Sequence, residues 1–171
     1  MKRAGGGSDY SYNAHTAVDE AAQIVVAAEL TNSASDSDRL PVLLAAVRAN
    51  LGQHADQVLA DAGFRSETVF EQLKDSPSEL IVALGREGKQ AVAIDTEQYP
   101  HPAAMQAKLK TPQGQAAYRK RKWIVEAPNG WMKSVLGFNQ LSLRGLDKVK
   151  AEFKLVSLAL SLKKMCSLRG T

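Results

Sequence analysis

Two acidic residues occupy positions where a carboxylate could serve a chemical role. Asp61 ends the apolar stretch VLAD, where a side chain projects from the rim of a predicted sheet, and Glu126 lies in the helical stretch AAYRKRKWIVEAPNGWMK. Tyr118, Lys122 and Glu126 follow one another at intervals of four residues, so they share one face of that helix. Because basic residues surround Glu126, an ion pair that only stabilises the helix is the simpler interpretation from spacing alone.

Other patterns that would indicate catalysis are incomplete or absent. The stretch GREGK at 85–89 departs from a phosphate-binding loop, because Ala83 replaces the first glycine and Gln90 replaces the final Ser or Thr. No G-x-S-x-G elbow occurs, which removes support for a serine hydrolase. Three histidines lack a partner at metal-ligand spacing and are predicted to be surface or packing residues: His15, His54 and His101.

The size and composition of the chain favour a cytoplasmic protein with one folding unit. The sequence has 171 residues, no run of about eighteen apolar residues that could span a membrane, and no apolar stretch behind its basic start. Its single cysteine, Cys166, has no partner for an internal disulfide. We predict that Cys166 is a small buried residue on a helix.

Charge is distributed unevenly along the sequence. Residues 1–107 contain 8 basic and 15 acidic side chains, whereas residues 108–171 contain 14 basic and 3 acidic side chains. A basic region of this kind is typical of a surface that faces nucleic acid. A helical tail with a lysine-rich solvated face is an equally good interpretation of the charge alone.

The first half of the sequence predicts strands that alternate with helices. Residues 1–9 contain three consecutive glycines and predict a flexible lead-in. Tyr10–Val18 and Ala21–Thr31 predict a hairpin joined at residues 19–20, and the stretch TNSASDSD predicts a turn and a helix N-cap. The helix that follows has apolar residues at spacings of three and four: Leu40, Leu43, Leu44 and Val47.

Two more strands are predicted before the basic region, at Gln57–Ala60 and Glu79–Leu84. Ser66 is predicted to cap a helix between them, whose buried side carries Val69, Phe70 and Leu73. The order of strands and helices indicates an α/β domain in which these strands join the hairpin in one sheet.

The second half of the sequence is predicted to be mostly helical. Arg86–Met105 has two prolines and no periodicity, which predicts a long loop. A helix is predicted from Pro112 to Glu126, with a disturbance at residues 128–130, and a long amphipathic helix after Gly145. The apolar face of that last helix is Leu146, Val149, Phe153, Val156 and Leu160.

Several of these stretches, in this order and at these separations, resemble the C-terminal part of bacterial insertion-sequence transposases of the DDE type. The stretches are YNAHTAVDE, QIVVAAELTNSASD, VLADAGF, YRKRKWIVEAPNGWMKSVLGF and LRGLDKVKAEFKLVSLALSLKKM. The resemblance covers residues 10–171, with a basic helical region at 108–171. It implies a ribonuclease H-like mixed sheet with flanking helices, and metal-dependent phosphoryl transfer on DNA.

The resemblance assigns roles to particular residues. Asp61 corresponds to the second catalytic aspartate of the family and Glu126 to its catalytic glutamate, which makes both of them metal ligands. Tyr118 and Lys133 correspond to the tyrosine and lysine of the family's signature, and contact DNA. The signature arginine corresponds to Arg121 or to Lys122, because the gap from Arg121 to Glu126 is one residue longer than in the commonest form.

The resemblance also implies cofactors, partners and a limit on activity. Two Mg²⁺ ions, insertion-sequence ends and target DNA are expected, and a homo-oligomer is possible. The family's first catalytic aspartate lies on a central strand in a D-G-T-like sequence, which has no counterpart before Tyr10. We therefore expect a truncated transposase, missing that strand and inactive alone. A non-catalytic DNA-binding module that keeps only the basic helices is the alternative, and a structural α/β protein with a solvated tail needs no DNA.

Overall fold

The computed structural model describes residues 11–85 and 94–170, which divide into two compact units. Unit 1 combines residues 1–34 with 124–171, and unit 2 is residues 35–123. The lead-in at 1–9, Tyr10 and residues 86–93 of the predicted loop lie outside the described residues. The strands and helices are β1 (Asn13–Val18), β2 (Val25–Thr31), α1 (Leu40–Leu51), β3 (Gln57–Ala60), α2 (Glu67–Gln72), β4 (Glu79–Val82), α3 (Pro100–Lys110), α4 (Pro112–Ser134) and α5 (Leu146–Arg169).

The predicted hairpin is confirmed in unit 1, where β1 and β2 pair antiparallel. The connection is longer than the two residues expected, because the carboxylate of Asp19 organises a loop that ends at Ile24. It accepts hydrogen bonds from the backbone N–H groups of Ala22, at 2.9 Å, and Ile24, at 2.7 Å. An aspartate that bonds the backbone a few residues on is a common way to fix a turn.

The hairpin of unit 1 packs on α5, whose predicted apolar face is confirmed. Residues of β2, α4 and α5 form one buried cluster: Ala28, Leu30, Met132, Val149, Phe153 and Leu160. Ser161, also buried, joins α5 to the start of β2, because its hydroxyl lies 3.2 Å from both the backbone nitrogen and the backbone oxygen of Val25. Burial of the apolar stripe of α5 is therefore what holds the hairpin in place.

Unit 2 contains a parallel pair, in which β3 lies beside β4. The side chain of Val82 on β4 is fully buried, and the core around it combines β3 and β4 with three helices: Leu40 from α1, Val69 and Phe70 from α2, and Met105 from α3. The hydroxyl of Ser66 caps α2 as predicted, since it accepts a hydrogen bond from the backbone of Val69 at 3.4 Å.

The strands do not join in one sheet as predicted. Within the described ranges, β1 and β2 form one two-stranded sheet, and β3 and β4 form another. The fold is mixed α/β with short sheets, and its strands belong to separate units. The alternation of strands and helices correctly indicates a mixed α/β fold, but it does not determine which strands pair with one another.

The beginning of α1 also differs from its prediction. Its N-cap is Arg39, with no side-chain hydrogen bond to the first turn, so the predicted cap within TNSASDSD is wrong. Asp38 is instead held by the guanidinium group of Arg39, whose Nε donates to its carboxylate at 2.8 Å. Pro41 lies in the first turn, where a helix needs no N–H from it.

Two predictions about proline were wrong for related reasons. Part of the predicted loop is α3, because Pro100 and Pro102 fall in the first helical turn, where their missing N–H groups cost nothing. In α4, the helix continues through Pro128 to Ser134 instead of being disturbed there. Ile124, Pro128 and Met132 recur every fourth residue and are all buried, and this burial offsets the lost hydrogen bond.

Candidate nucleic-acid and metal-binding site

Asp61 lies where the sequence places it, at the exposed end of β3 in unit 2. It is the N-cap of the short 3₁₀ turn Ala62–Phe64, and its Oδ1 accepts a hydrogen bond from the backbone of Gly63 at 2.9 Å. Arg65, just after this turn, donates to the carbonyl oxygen of Leu84, two residues after β4, at 3.0 Å. The carboxylate is therefore held by a fixed turn at the carboxyl edge of the parallel pair, where side chains of α/β sheets commonly bind ligands.

Asp36 is a second carboxylate close to Asp61, and the sequence did not single it out. A Cβ built on Gly63 would lie 2.7 Å from Asp36 Oδ2 and 3.1 Å from Asp61 Oδ1. Both oxygens thus border the space that Gly63 leaves open. Asp36 comes from the Ser- and Asp-rich turn before α1, where an acidic residue has an ordinary role as a turn former. No spacing rule would have paired it with Asp61.

The first half of α4, which belongs to unit 2, carries Tyr118, Arg121 and Lys122. The guanidinium carbon of Arg121 lies 5.4 Å from the centre of the Tyr118 ring, within the range of a cation–π contact. Both side chains are half-buried, whereas Lys122 is exposed. The contact holds Arg121 beside Tyr118, and the assignment of the signature arginine to Arg121 or Lys122 stays a prediction.

The second half of α4, which belongs to unit 1, carries Glu126 and Lys133, both exposed. Asp61 and Glu126 therefore belong to different units, and the expectation that they share a metal ion stays a prediction. Among residues 11–85 and 94–170, no group of three or more His, Cys, Asp or Glu side chains is arranged to hold a metal ion.

The basic region at 108–171 is divided between the units. Of its 14 basic residues, unit 2 receives 6 and unit 1 receives 8. Two of them pair with acidic residues from the first part of the sequence: Lys108 with Glu79 at 3.2 Å, and Lys154 with Glu29 at 2.8 Å. The charge asymmetry along the sequence is therefore partly compensated within each unit.

Two smaller predictions have different outcomes. Cys166 lies on α5 as predicted but is exposed, so its predicted burial is wrong. The apolar stripe that α5 buries passes through Leu160 and Ser161 and leaves residue 166 on another face. No helix within the described ranges is both long and apolar enough to cross a membrane.

A comparison with protein families gives a match that covers the candidate site residues. The family model of the transposase DDE domain matches residues 2–162, a range that contains Asp61, Glu126 and the whole of α4. No curated protein matches the chain. No solved structure matches it either. Since the match covers nearly the whole sequence, the chain belongs to the transposase DDE domain family.

Proposed function

We propose that this chain binds DNA as part of a transposition reaction, with Asp61 and Glu126 as the carboxylates of its metal site. The observation that carries the proposal is the Asp61 carboxylate, fixed by the Gly63 N–H at the exposed carboxyl end of a parallel strand. The same hydrogen bond caps the 3₁₀ turn, and it therefore fixes the carboxylate in place at the strand end. Membership of the transposase DDE domain family supports the reaction class.

Mg²⁺ is the proposed cofactor, and Asp61 and Glu126 are the residues that would hold it. Carboxylate oxygens are the ligands that Mg²⁺ prefers, and Asp61, with Asp36 beside it, presents such oxygens at a strand end. When bound in pairs, such cations activate the attacking oxygen and stabilise the leaving oxygen at phosphorus. Because no three ligands cluster within the described residues, we expect weak metal binding and very low strand cleavage by the 171-residue chain.

Residues of α4 are the proposed contacts with DNA. Tyr118, Lys133 and either Arg121 or Lys122 would bind phosphate oxygens, where Arg and Lys side chains position a protein without reading sequence. The Arg121 and Tyr118 pair is already held together, so less side-chain entropy is lost when phosphate binds. The insertion-sequence ends and the target are the proposed DNA partners.

The proposed fold of the complete catalytic domain is ribonuclease H-like. Family membership supports this fold, and the described residues contain an antiparallel pair, β1 with β2, and a parallel pair, β3 with β4. Self-association is also proposed, because an exposed apolar stripe runs along α5: Leu155, Leu158, Leu162 and Met165.

A non-catalytic DNA-binding module that keeps only the basic helices is the second candidate, favoured by the 14 basic and 3 acidic side chains of residues 108–171. The two candidates differ over the carboxylates. Substitution of Asp61 and Glu126 by Asn and Gln removes metal binding in the first candidate and changes nothing in the second. Magnesium-dependent nicking by the chain that Asp61→Asn abolishes would overturn the expectation of low activity, and Asp36→Asn would then test whether Asp36 completes the site.

DNA binding is tested with a duplex of arbitrary sequence at several salt concentrations. We expect affinity to fall steeply as salt increases, because neutralised phosphates release counterions. Replacing Lys120, Arg121, Lys148 and Lys150 by Gln should weaken binding and flatten the salt dependence. A control replaces two cations of the acidic part, Arg48 and Lys74, by Gln and should leave the affinity and its salt dependence nearly unchanged. The proposal would be contradicted if the chain did not bind the duplex at low salt. It would also be contradicted if both variants lost the same affinity for DNA.

A further inference from the structure

A small cavity in unit 1 combines an aromatic ring with two lysines. It has a volume of about 190 Å³ and lies between α4, α5 and the loop of the hairpin. Trp131 lines it together with Lys163 and Lys164, and Pro128 and Leu160 add apolar surface. The cavity is smaller than the roughly 300 to 1,000 Å³ that drug-sized ligands occupy, so it admits about one ring system.

Trp131 is the main aromatic surface of this cavity. Its side chain is 44% exposed, and the Lys163 ammonium lies 4.8 Å from the centre of its ring. A ring that remains exposed beside a cavity offers stacking area to a flat ligand. The side chain of Lys163 is flexible. If a ligand ring stacks on Trp131, the Lys163 ammonium can therefore move away from the Trp131 ring and bind an anion nearby.

The third side of the cavity is formed by Gln23, which has an unusual backbone conformation. Its φ is 55°, the only positive value at a non-glycine residue within the described ranges. Such a conformation costs energy, of order 1–3 kcal/mol, and occurs in tight turns and at functional sites. The two hydrogen bonds from Ala22 and Ile24 to the Asp19 carboxylate hold the loop on either side of Gln23. The loop thus holds the backbone of Gln23 in a fixed place at the edge of the cavity.

The geometry points to this cavity as a binding site for one unstacked base of single-stranded DNA, with Trp131 stacking on the base and the two lysines on its phosphates. This inference rests on the proposed DNA-binding function. An apolar, ring-sized space with adjacent cations fits a base joined to a phosphate, and stacking on aromatic side chains is a general way to hold single strands. A base within a duplex is already stacked and would not reach the ring.

The test uses the complete chain and tryptophan fluorescence. Trp123→Phe leaves Trp131 as the only tryptophan, so quenching by oligo(dT) would report stacking on that ring. Affinities for oligo(dT) and for a duplex of equal length are then compared. Trp131→Ala should lower the affinity for oligo(dT) roughly 5- to 150-fold, the range of one lost base–aromatic stack, with little effect on the duplex. Trp131→Phe keeps a ring and should retain most of the affinity.

The lysine variant tests the phosphate contact separately. Lys163→Gln should reduce the salt dependence of oligo(dT) binding by about 0.7 in the logarithmic slope, as expected for one phosphate contact with a single strand. Binding of oligo(dT) without quenching, or equal losses for oligo(dT) and duplex in Trp131→Ala, would overturn the inference while leaving duplex binding intact. No binding of either DNA by the unmodified chain would overturn the proposed function as well.

Discussion

The two units each have a buried core, but the residues of unit 2 are continuous in the sequence and those of unit 1 are not. Unit 2 is one continuous stretch, and its sheet joins strands 22 residues apart, as in the pairing of Gln57 with Glu79. Unit 1 combines both ends of the chain, and Val25 bonds Ser161 across 136 residues. Contacts between distant residues require closure of a long loop, which costs conformational entropy before any packing is gained. The formation of unit 1 therefore depends on the residues between its two segments.

This difference also concerns function, because the proposed metal ligands are divided between the units. Asp61 belongs to unit 2 and Glu126 to unit 1. The basic residues of α4 are divided in the same way, since the boundary falls between Trp123 and Ile124 inside that helix.

The largest expected effect comes from removing one buried phenylalanine from each unit. Phe153→Ala in unit 1 and Phe70→Ala in unit 2 remove side chains of equal size that are 6% and 4% exposed. Each should lower the free energy of unfolding by about 3–5 kcal/mol, because a cavity remains. If the units unfold separately, urea denaturation followed by hydrogen exchange will show each variant affecting only its own unit.

Leu143→Ala is the control for Phe153→Ala, because Leu143 belongs to the same unit and is 46% exposed. Its substitution should change the free energy of unfolding by about 0.5 kcal/mol or less. A single transition that both phenylalanine variants lower equally would show that the units unfold as one.

A second comparison uses two glycines of α4, one in each unit. A Cβ on Gly114 would lie 2.1 Å from the carbonyl oxygen of Lys108 at the end of α3, whereas a Cβ on Gly130 meets nothing within 4 Å. Gly114→Ala should cost about 1–3 kcal/mol, since backbone must shift to admit the methyl group. Gly130→Ala should instead stabilise by about 0.5–1 kcal/mol, because alanine favours a helix. Thermal unfolding measures both, and a shift of the same sign for the two variants would contradict the packing described for α4.

The smallest expected effect is an acid dependence in each unit. The pKa of Glu152 in unit 1 is lowered because it accepts hydrogen bonds from the hydroxyl of Ser142 and the backbone of Leu143 and Ser142. The pKa of Glu79 in unit 2 is lowered by hydrogen bonds from Gln57 and Lys108. The stability that each glutamate contributes is present above the ordinary pKa of a glutamate. It is lost as pH falls through the lowered pKa of the folded state.

Glu152→Gln should accordingly destabilise the protein slightly at neutral pH and reduce the loss of stability on acidification. Both glutamates are exposed or nearly so, and solvent screens such contacts. Urea midpoints between neutral pH and pH 3 measure the effect. An unchanged acid slope in both Glu152→Gln and Glu79→Gln would show that these hydrogen bonds do not stabilise the fold.

Some strands, helices and caps could be predicted from the sequence because the residues that determine them are close together in the chain. The hairpin, the strand ending at Ala60, the Ser66 cap and the apolar stripe of α5 each depend on residues within a few turns of one another. The helix α3 was missed because prolines suit a first turn as well as a loop. The helix α4 was expected to break because burial of Pro128 depends on packing partners that the local sequence does not show.

Contacts between distant segments could not be predicted in the same way. Asp36 lies beside Asp61, and Gln23 lines the cavity of Trp131, although no periodicity connects either pair. The division into two sheets depends on which strand edges meet, and strand patterns are the same for several pairings. The residue roles of Asp61 and Glu126 came from family resemblance, and they stay predictions.

Whether Asp61 and Glu126 bind the same metal ion is the most direct test of the proposed function. Mn²⁺ can replace Mg²⁺ in a titration followed by proton relaxation, with Asp61→Asn, Glu126→Gln and the double variant compared at equal folding. If both carboxylates hold one ion, either single substitution should weaken Mn²⁺ binding nearly as much as the two together. Two binding events, of which each substitution removes only one, would contradict a shared site. Affinity that neither substitution changes would favour the non-catalytic DNA-binding module.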